Sequence, residues 1–232
     1  MNFSPGEISA LFLSVKVSAW ATVLSCPFAI LIGWLLARRQ FMAKSLADAL
    51  VHLPLVLPPV VPGYLLLVLF GRQGVLGRWL YEYLGVSIAF NWKGAALASA
   101  VMAFPLMVRS VRLSISLIDS RLEDAARTLG ANPWSVFFTI TLPLGLPGIL
   151  VGLILGFSRS LGEFGATITF VGNIEGETRT LPLAIYTASH MPDGDAQAFR
   201  LIGLSLALAL TALLASYLLA KRIEQRLGMK SI

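Results

Sequence analysis

The chain has 232 residues, 56% hydrophobic and only 13% charged, with a mean hydropathy of +0.79. That is far more apolar surface than one soluble core of this size can hide, so a lipid bilayer is the expected solvent for a single membrane domain over 1–232. A net charge of +6 and a pI near 9.8 do not imply nucleic acid, because the Lys and Arg residues lie in short loops between apolar runs rather than in one patch.

Met1 to Ile8 carries Glu7 and no Lys or Arg. It lacks the positive region of a cleaved secretory signal, and the first apolar run reads as a retained membrane helix. Crossing about 30 Å of hydrocarbon takes roughly 20 residues. Spans are expected at about 8–38, 51–71, 93–112, 142–166 and 199–220. The expected fold class is an all-α integral membrane protein with five transmembrane helices, or six if Leu181 to Met191 inserts fully. The single cysteine, Cys26, lies in the first span and has no intrachain partner.

Span two concentrates Pro54, Pro58, Pro59, Pro62 and Gly63 in its first half. Each proline removes a backbone donor, so the span is expected to bend or partly unwind. Non-helical backbone at membrane depth is tolerated only inside protein or beside a wet cavity, which marks Pro59 and Pro62 as candidate pathway residues. A kinked packing helix is the other reading. Span four sets Gly148, Gly152 and Gly156 four apart, followed by Ser160, a small face for close helix approach within this chain or to a second copy.

Basic residues orient the spans. Arg38, Arg39 and Lys44 follow span one, Arg109, Arg112, Arg121 and Arg127 follow span three, and Lys221, Arg222, Arg226 and Lys230 follow span five. The opposite loops hold only Arg72, Arg78, Lys93, Arg179 and Arg200. The N-terminus is therefore expected outside and the C-terminus inside.

The segment 120–143, between spans three and four, is neither charged enough to be disordered nor apolar enough to span. Ser120 with Glu123 three residues on reads as a capping box opening a helix from Arg121 to Leu129. Gly130 supplies a left-handed stop. Asn132 and Pro133 then start a second piece whose apolar face is Trp134, Phe137, Phe138 and Ile140, ending at Leu142 and Pro143. Two short helices hinged at Gly130, with small Ala125 and Ala126 exposed, form a plug suited to a groove on another protein.

This run resembles the cytoplasmic loop of ABC importer permeases: Glu-Ala-Ala, three residues, Gly, nine residues, Ile, one residue, Leu-Pro. Here Asp124, Ala125, Ala126, Gly130, Ile140, Leu142 and Pro143 keep every spacing, with Asp124 in place of the Glu and Glu123 beside it. The whole chain is similar to the core of the type I importer permeases. The resemblance implies a homodimer of permease chains in a bacterial cytoplasmic (inner) membrane, two cytoplasmic ATP-binding subunits that hold ATP and Mg, and a periplasmic or external binding protein. It implies no cofactor, metal or catalytic residue on this chain, which has no G-x-x-x-x-G-K-[ST] phosphate loop of its own.

Ser158 to Thr167 resembles the fourth-span motif of the oxyanion branch, the molybdate, tungstate and sulfate permeases, and a chain of this length is most similar to the molybdate group. Arg159 and Glu163 lie four apart and can pair, either to lock a helix end or to serve a pathway. Ser158, Ser160, Thr167 and Thr169 can hydrogen-bond an oxyanion, or simply bond their own helix. His52 and His190 stand alone, without a metal-ligand spacing. A channel or secondary transporter is the rival class, since kinked spans and an intramembrane Arg serve either.

Overall fold

The computed structural model describes residues 3–226; Met1, Asn2 and 227–232, Lys230 among them, lie outside the described residues. The regular structure of the described residues is entirely helical. Four helices are long and apolar enough to cross a membrane, and a bent pair makes a fifth crossing if counted as one span.

Helix α1 (Pro5–Arg38) opens on a capping box in which Ser4 Oγ accepts from Glu7 N–H and the Glu7 carboxylate accepts from Ser4 N–H. Its 34 residues reach about 51 Å at 1.5 Å each, more than the hydrocarbon layer requires. Near its N-terminus the fully buried Glu7 carboxylate pairs with Arg200 at 3.1 Å, and Ser14 Oγ accepts from Leu181 N–H at 2.7 Å. These contacts tie α1 to the last two helices of the chain.

The proline-rich second span is broken. α2 (Lys44–Val56) and α3 (Val60–Phe70) meet at 110° across Leu57, Pro58 and Pro59. Only Pro62, Gly63 and Leu66 of α3 are buried, and they form the side packed on a later helix. The short α4 (Val75–Leu84) then ends at Gly85 with φ +65°.

The centre of the bundle is α5 (Trp92–Ser116), capped by Asn91, whose Oδ1 accepts from the N–H groups of Lys93 and Gly94. It packs on α1, α2, α3 and two later helices. Ala95, Ala98, Met102, Val108 and Ile115 are buried along its length.

After α6 (Ser120–Thr128) and the single turn α7 (Pro133–Val136), the chain makes a π-helical turn, Phe137–Thr141, and runs on without interruption as α8 (Leu142–Leu161). Leu142 and Pro143 therefore do not end the second piece of the 120–143 segment, contrary to the expectation from sequence. The proline has no N–H for an α-type bond. The wider turn, in which Leu142 N–H reaches Phe137 O, accommodates it within one helix from Pro133 to Leu161.

The glycine face of α8 meets α5 of the same chain. A Cβ on Gly148 would collide with Ser114 Cβ, and one on Gly156 would sit 2.7 Å from Met107 Sδ. Ser110 Oγ donates to Gly148 O at 2.8 Å across the contact. Small residues and an interhelical hydroxyl bond are what hold helices together where lipid is the competitor.

Helix α9 (Gly165–Val171) packs on α3 and α5, and α10 (Leu181–Ser189) on α11 and α1. The nine residues of α10 reach about 13 Å, too short for a sixth crossing. α11 (Asp195–Arg226) is anchored through Ala198, Leu201 and Arg200, while Leu206, Leu210 and Leu213 are exposed within the chain.

If α5 and α8 are held by close approach, Gly148→Ala will destabilise the protein by about 1–3 kcal/mol through overpacking. Gly203→Ala on α11, where nothing lies within 4 Å of an added Cβ, will leave stability level or raise it by up to about 1 kcal/mol. Thermal melts of the two variants in detergent read the difference, and equal shifts would show that the contact contributes nothing.

Candidate functional site

The 120–143 segment lies at the foot of the bundle, and one carboxylate organises it. Glu123 is buried, with a side chain only 4% exposed. Its Oε1 accepts from Arg38 Nε at 3.1 Å and from Thr141 Oγ1 at 2.8 Å, while Oε2 lies 3.5 Å from Arg127 Nη2. Arg38 also donates to Ile118 O at 2.9 Å. The end of α1, the loop before α6 and the turn leading into α8 therefore converge on the inner face of α6.

This corrects the capping reading. Asp119, not Ser120, caps α6, its Oδ1 accepting from Arg121 N–H at 3.0 Å. Glu123 is drawn inward by two cations and a hydroxyl instead of folding back on a cap.

The outer face of α6 carries Asp124 and Ala125, both exposed, with Ala126 half-buried. Asp124 pairs with Arg127 at 2.9 Å in solvent, where such a pair contributes little. The helix ends in a Schellman motif: Ala131 N–H donates to Ala126 O and Gly130 N–H to Arg127 O, with Gly130 at φ +88°. Asn132 Oδ1 then accepts from Ser135 N–H, and Pro133 takes the first helical position of α7. Ile140 and Leu142 are half-buried and Pro143 is exposed. Trp34 of α1 meets Phe137 edge-on at 5.4 Å, and Trp134 stacks on Phe138 at 6.3 Å.

The second group of candidate residues gathers where α8 gives way to α9. Arg159 Nη1 lies 2.7 Å from Glu163 Oε2, and the other Glu163 oxygen accepts from Ala166 N–H at 2.8 Å. Glu163, 2% exposed, thus uses both oxygens to join the end of α8 to the start of α9. Thr167 and Thr169 donate to carbonyls within this segment, at Phe164 and Gly165. Ser160 Oγ is buried and has no hydrogen-bond partner among the described residues.

Pro59 and Pro62 come from the broken span to the same region. A Cβ on Gly165 would sit 2.7 Å from Pro59 Cβ, and one on Gly63 would sit 2.6 Å from Ala166 O, so α3 and α9 touch nearly backbone to backbone. Pro62 is buried and Pro59 exposed. Chemically, the cluster offers a guanidinium already neutralised by its own carboxylate, plus the hydroxyls of Ser158 and Ser160, neither of which has a hydrogen-bond partner among the described residues.

Sequence reasoning does not find Arg38 and Thr141 as partners of Glu123. Arg38 lies 85 residues away and reads simply as one of the basic residues after span one. No local pattern marks either residue.

The chain matches the family described as "Binding-protein-dependent transport system inner membrane component" over residues 29–228. It is 57% identical over 226 residues to the molybdenum transport system permease protein ModB of Haemophilus influenzae, covering 97% of this chain and 99% of that one. Identity to the protein of the same name in Escherichia coli K12 is 58% over 228 residues, 98% of this chain and all of the relative. The sulfate transport system permease protein CysT of E. coli is 36% identical, over 79% of this chain and 66% of its own length.

Among solved structures, a bacterial ABC transporter that imports alginate shares the fold with a TM-score of 0.72 at 20% identity, covering 97% of this chain and 80% of that one. The inward-facing MetNI methionine transporter does so with 0.68 at 17%, covering 94% of each chain. A bundle built around α5, with an exposed and internally braced α6 at its foot, is thus the fold of importer permeases. The chain belongs to the family of binding-protein-dependent transport system inner membrane components.

Proposed function

We propose that this chain carries molybdate across a bacterial cytoplasmic membrane by alternating access. It acts as a homodimer with two cytoplasmic ATP-binding subunits and an external oxyanion-binding protein. The observation that carries the reading is near full-length identity of 57–58% to two molybdenum permeases. ATP and Mg belong to the partner subunits. The N-terminus lies outside and the C-terminus inside, because the basic residues concentrate on the side of α6.

The geometry supplies a mechanism for the chain's own part. Asp124, Ala125 and Gly130 face outward to meet an ATPase groove, while Glu123 faces inward to Arg38 and Thr141. Displacement of α6 is then delivered to α1 through Arg38 and to α8 through Thr141, not only along the backbone. At the other end, the Arg159–Glu163 pair presents no net charge, so a passing oxyanion meets polar groups without a deep trap. The hydroxyls of Ser158, half-buried, and Ser160, buried, are without a partner there among the described residues. Ile140, Leu142 and Pro143 set where the moving segment joins the span.

In vesicles containing the permease, its ATPase and the binding protein, molybdate uptake will require all three and ATP. Uptake by the permease alone would establish a channel or secondary transporter instead, and stronger uptake of sulfate or tungstate would reassign the substrate.

Gly130→Val places a β-branched residue at φ +88°, at a cost of about 1–2 kcal/mol. Nothing lies within 4 Å of the added Cβ, so the strain is purely backbone. ATPase co-purification will weaken about tenfold with membrane insertion intact, and Gly130→Asn will retain more of it. Unchanged co-purification would count against the joint.

Glu123→Ala strips Arg38 of its buried counter-charge and will destabilise the chain by about 3 kcal/mol. Adding Arg38→Met will recover part of that stability. In the double variant ATP turnover will continue but uptake will fall, since the tie between α6 and α1 is gone. Full uptake by the double variant would show that the backbone alone transmits the movement.

A further inference from the structure

Two cavities meet at the foot of α1. One, of about 430 Å³, is apolar and lies between α1 and the helix from Pro133, with Pro27, Ile30, Leu31, Phe138 and Leu142 in its walls. The other, of about 370 Å³, is polar and lies beneath α6, lined by Arg38, Glu123, Asp124, Arg127 and Thr141. Trp34, Arg39, Pro133 and Phe137 line both, so the apolar chamber and the charged one lie side by side.

The charges in this double chamber do not balance. Three guanidiniums, from Arg38, Arg39 and Arg127, face two carboxylates, Glu123 and Asp124. Arg38 is paired with Glu123 and also donates to Ile118 O, and Arg127 lies against Glu123 and Asp124. Arg39 has no carboxylate partner among the described residues, and its guanidinium meets only the Trp34 ring, 5.7 Å from the centroid. The unmatched cation thus stands at the seam of the two chambers. A ligand that fits must be negative at one end and a long apolar chain at the other.

We propose that the paired chambers bind one anionic phospholipid of the cytoplasmic leaflet. Its phosphate lies at Arg39, and an acyl chain runs along Trp34 and Phe138 into the apolar chamber. Basic residues at the cytoplasmic end of a span attract anionic headgroups, and Trp side chains settle at the same interface. The exposed Trp134 stacked on Phe138 continues that belt around the chamber. The lipid would wedge between α1 and the helix that carries the coupling segment, so headgroup composition would bear on how firmly the two move together. The choice of leaflet rests on the orientation proposed for the chain; the choice of an anionic amphiphile does not.

The test is native mass spectrometry of the delipidated permease–ATPase complex, titrated separately with dioleoyl phosphatidylglycerol, dioleoyl phosphatidylcholine and glycerol 3-phosphate. The anionic lipid will be retained about fivefold over the zwitterionic one, the factor expected for one basic side chain at the surface. Glycerol 3-phosphate will not be retained. Arg39→Gln will remove the preference and Arg39→Lys will restore it, while Leu31→Trp, which fills the apolar chamber, will lower retention of both lipids.

Equal retention of the two lipids by the parent protein, or an undiminished preference in Arg39→Gln, overturns the proposal. Retention of glycerol 3-phosphate as strong as that of the lipid overturns it in favour of a free anion. Lipid bound by the permease alone but expelled by the ATPase overturns it in favour of the protein partner. Met42, wholly exposed three residues beyond Arg39, reads the leaflet independently. In a Cys26→Ser background, Met42→Cys will react with an impermeant maleimide only in opened cells. Reaction in intact cells overturns the leaflet and the orientation together, while leaving the lipid preference to stand or fall by the titration.

Discussion

Inside hydrocarbon a helix gains nothing by hiding Leu or Val from lipid, which is equally apolar, so cohesion depends on how closely backbones approach. That constraint is met here chiefly between α5 and α8. The glycines of α8 admit Ser114, Ser110 and Met107, and the Ser110 hydroxyl bonds across to Gly148 O. With α8 pressed on α5, and α5 on α1, the remaining pieces have a surface to settle on. Neither half of the broken α2–α3 pair is long enough to cross a bilayer by itself, and nor are the short α9 and α10. They are viable because the three long helices supply buried partners for their irregular backbone.

Buried acids mark the joints of this arrangement. Glu7 joins α1 to α11 through Arg200, Glu163 joins α8 to α9 through Arg159 and Ala166 N–H, and Glu123 joins α6 to α1 and to the turn before α8. Each carboxylate is almost fully enclosed and each has an arginine. A charge so enclosed is tolerable only with such partners, so removing either member of a joint leaves the other buried and unpaired. In the Arg159–Glu163 pair the guanidinium is neutralised locally, by a carboxylate one helical turn away.

Much of this is legible in the residues. The apolar runs foretell five crossings, the proline cluster foretells a break in the second, and the spacing from Asp124 to Pro143 points to the family that the relatives establish. Gly130 is readable because a left-handed stop after a short helix has a local signature. What escapes is non-local. The glycine face of α8 announces a close contact but not with which helix, and no pattern around Glu123 foretells Arg38 from 85 residues away. The capping box fails for the same reason: a Ser-x-x-Glu run is a local signal, and it loses to a tertiary one when Glu123 finds cations on the inner face. Pro143 reads as a stop because a proline ends an α-helix; composition gives no hint of the π-turn that carries the helix past it.

The same turn sets the phase of the helix on either side of it. Five residues, Phe137–Thr141, hold one more residue than the same stretch of α-helix would need, and one residue is about 100° of rotation about the axis. The aromatic side of the helix, Trp134 and Phe138, and the glycine side, Gly148 to Gly156, are therefore phased against each other by a residue count, like two cams keyed to one shaft. The shaft is continuous from Pro133 to Leu161, so a twist applied at the aromatic end arrives at the α5 contact as a change of angle rather than of distance. A glycine face packed this tightly is sensitive to angle above all, because rotating it brings side chains where only backbone fits.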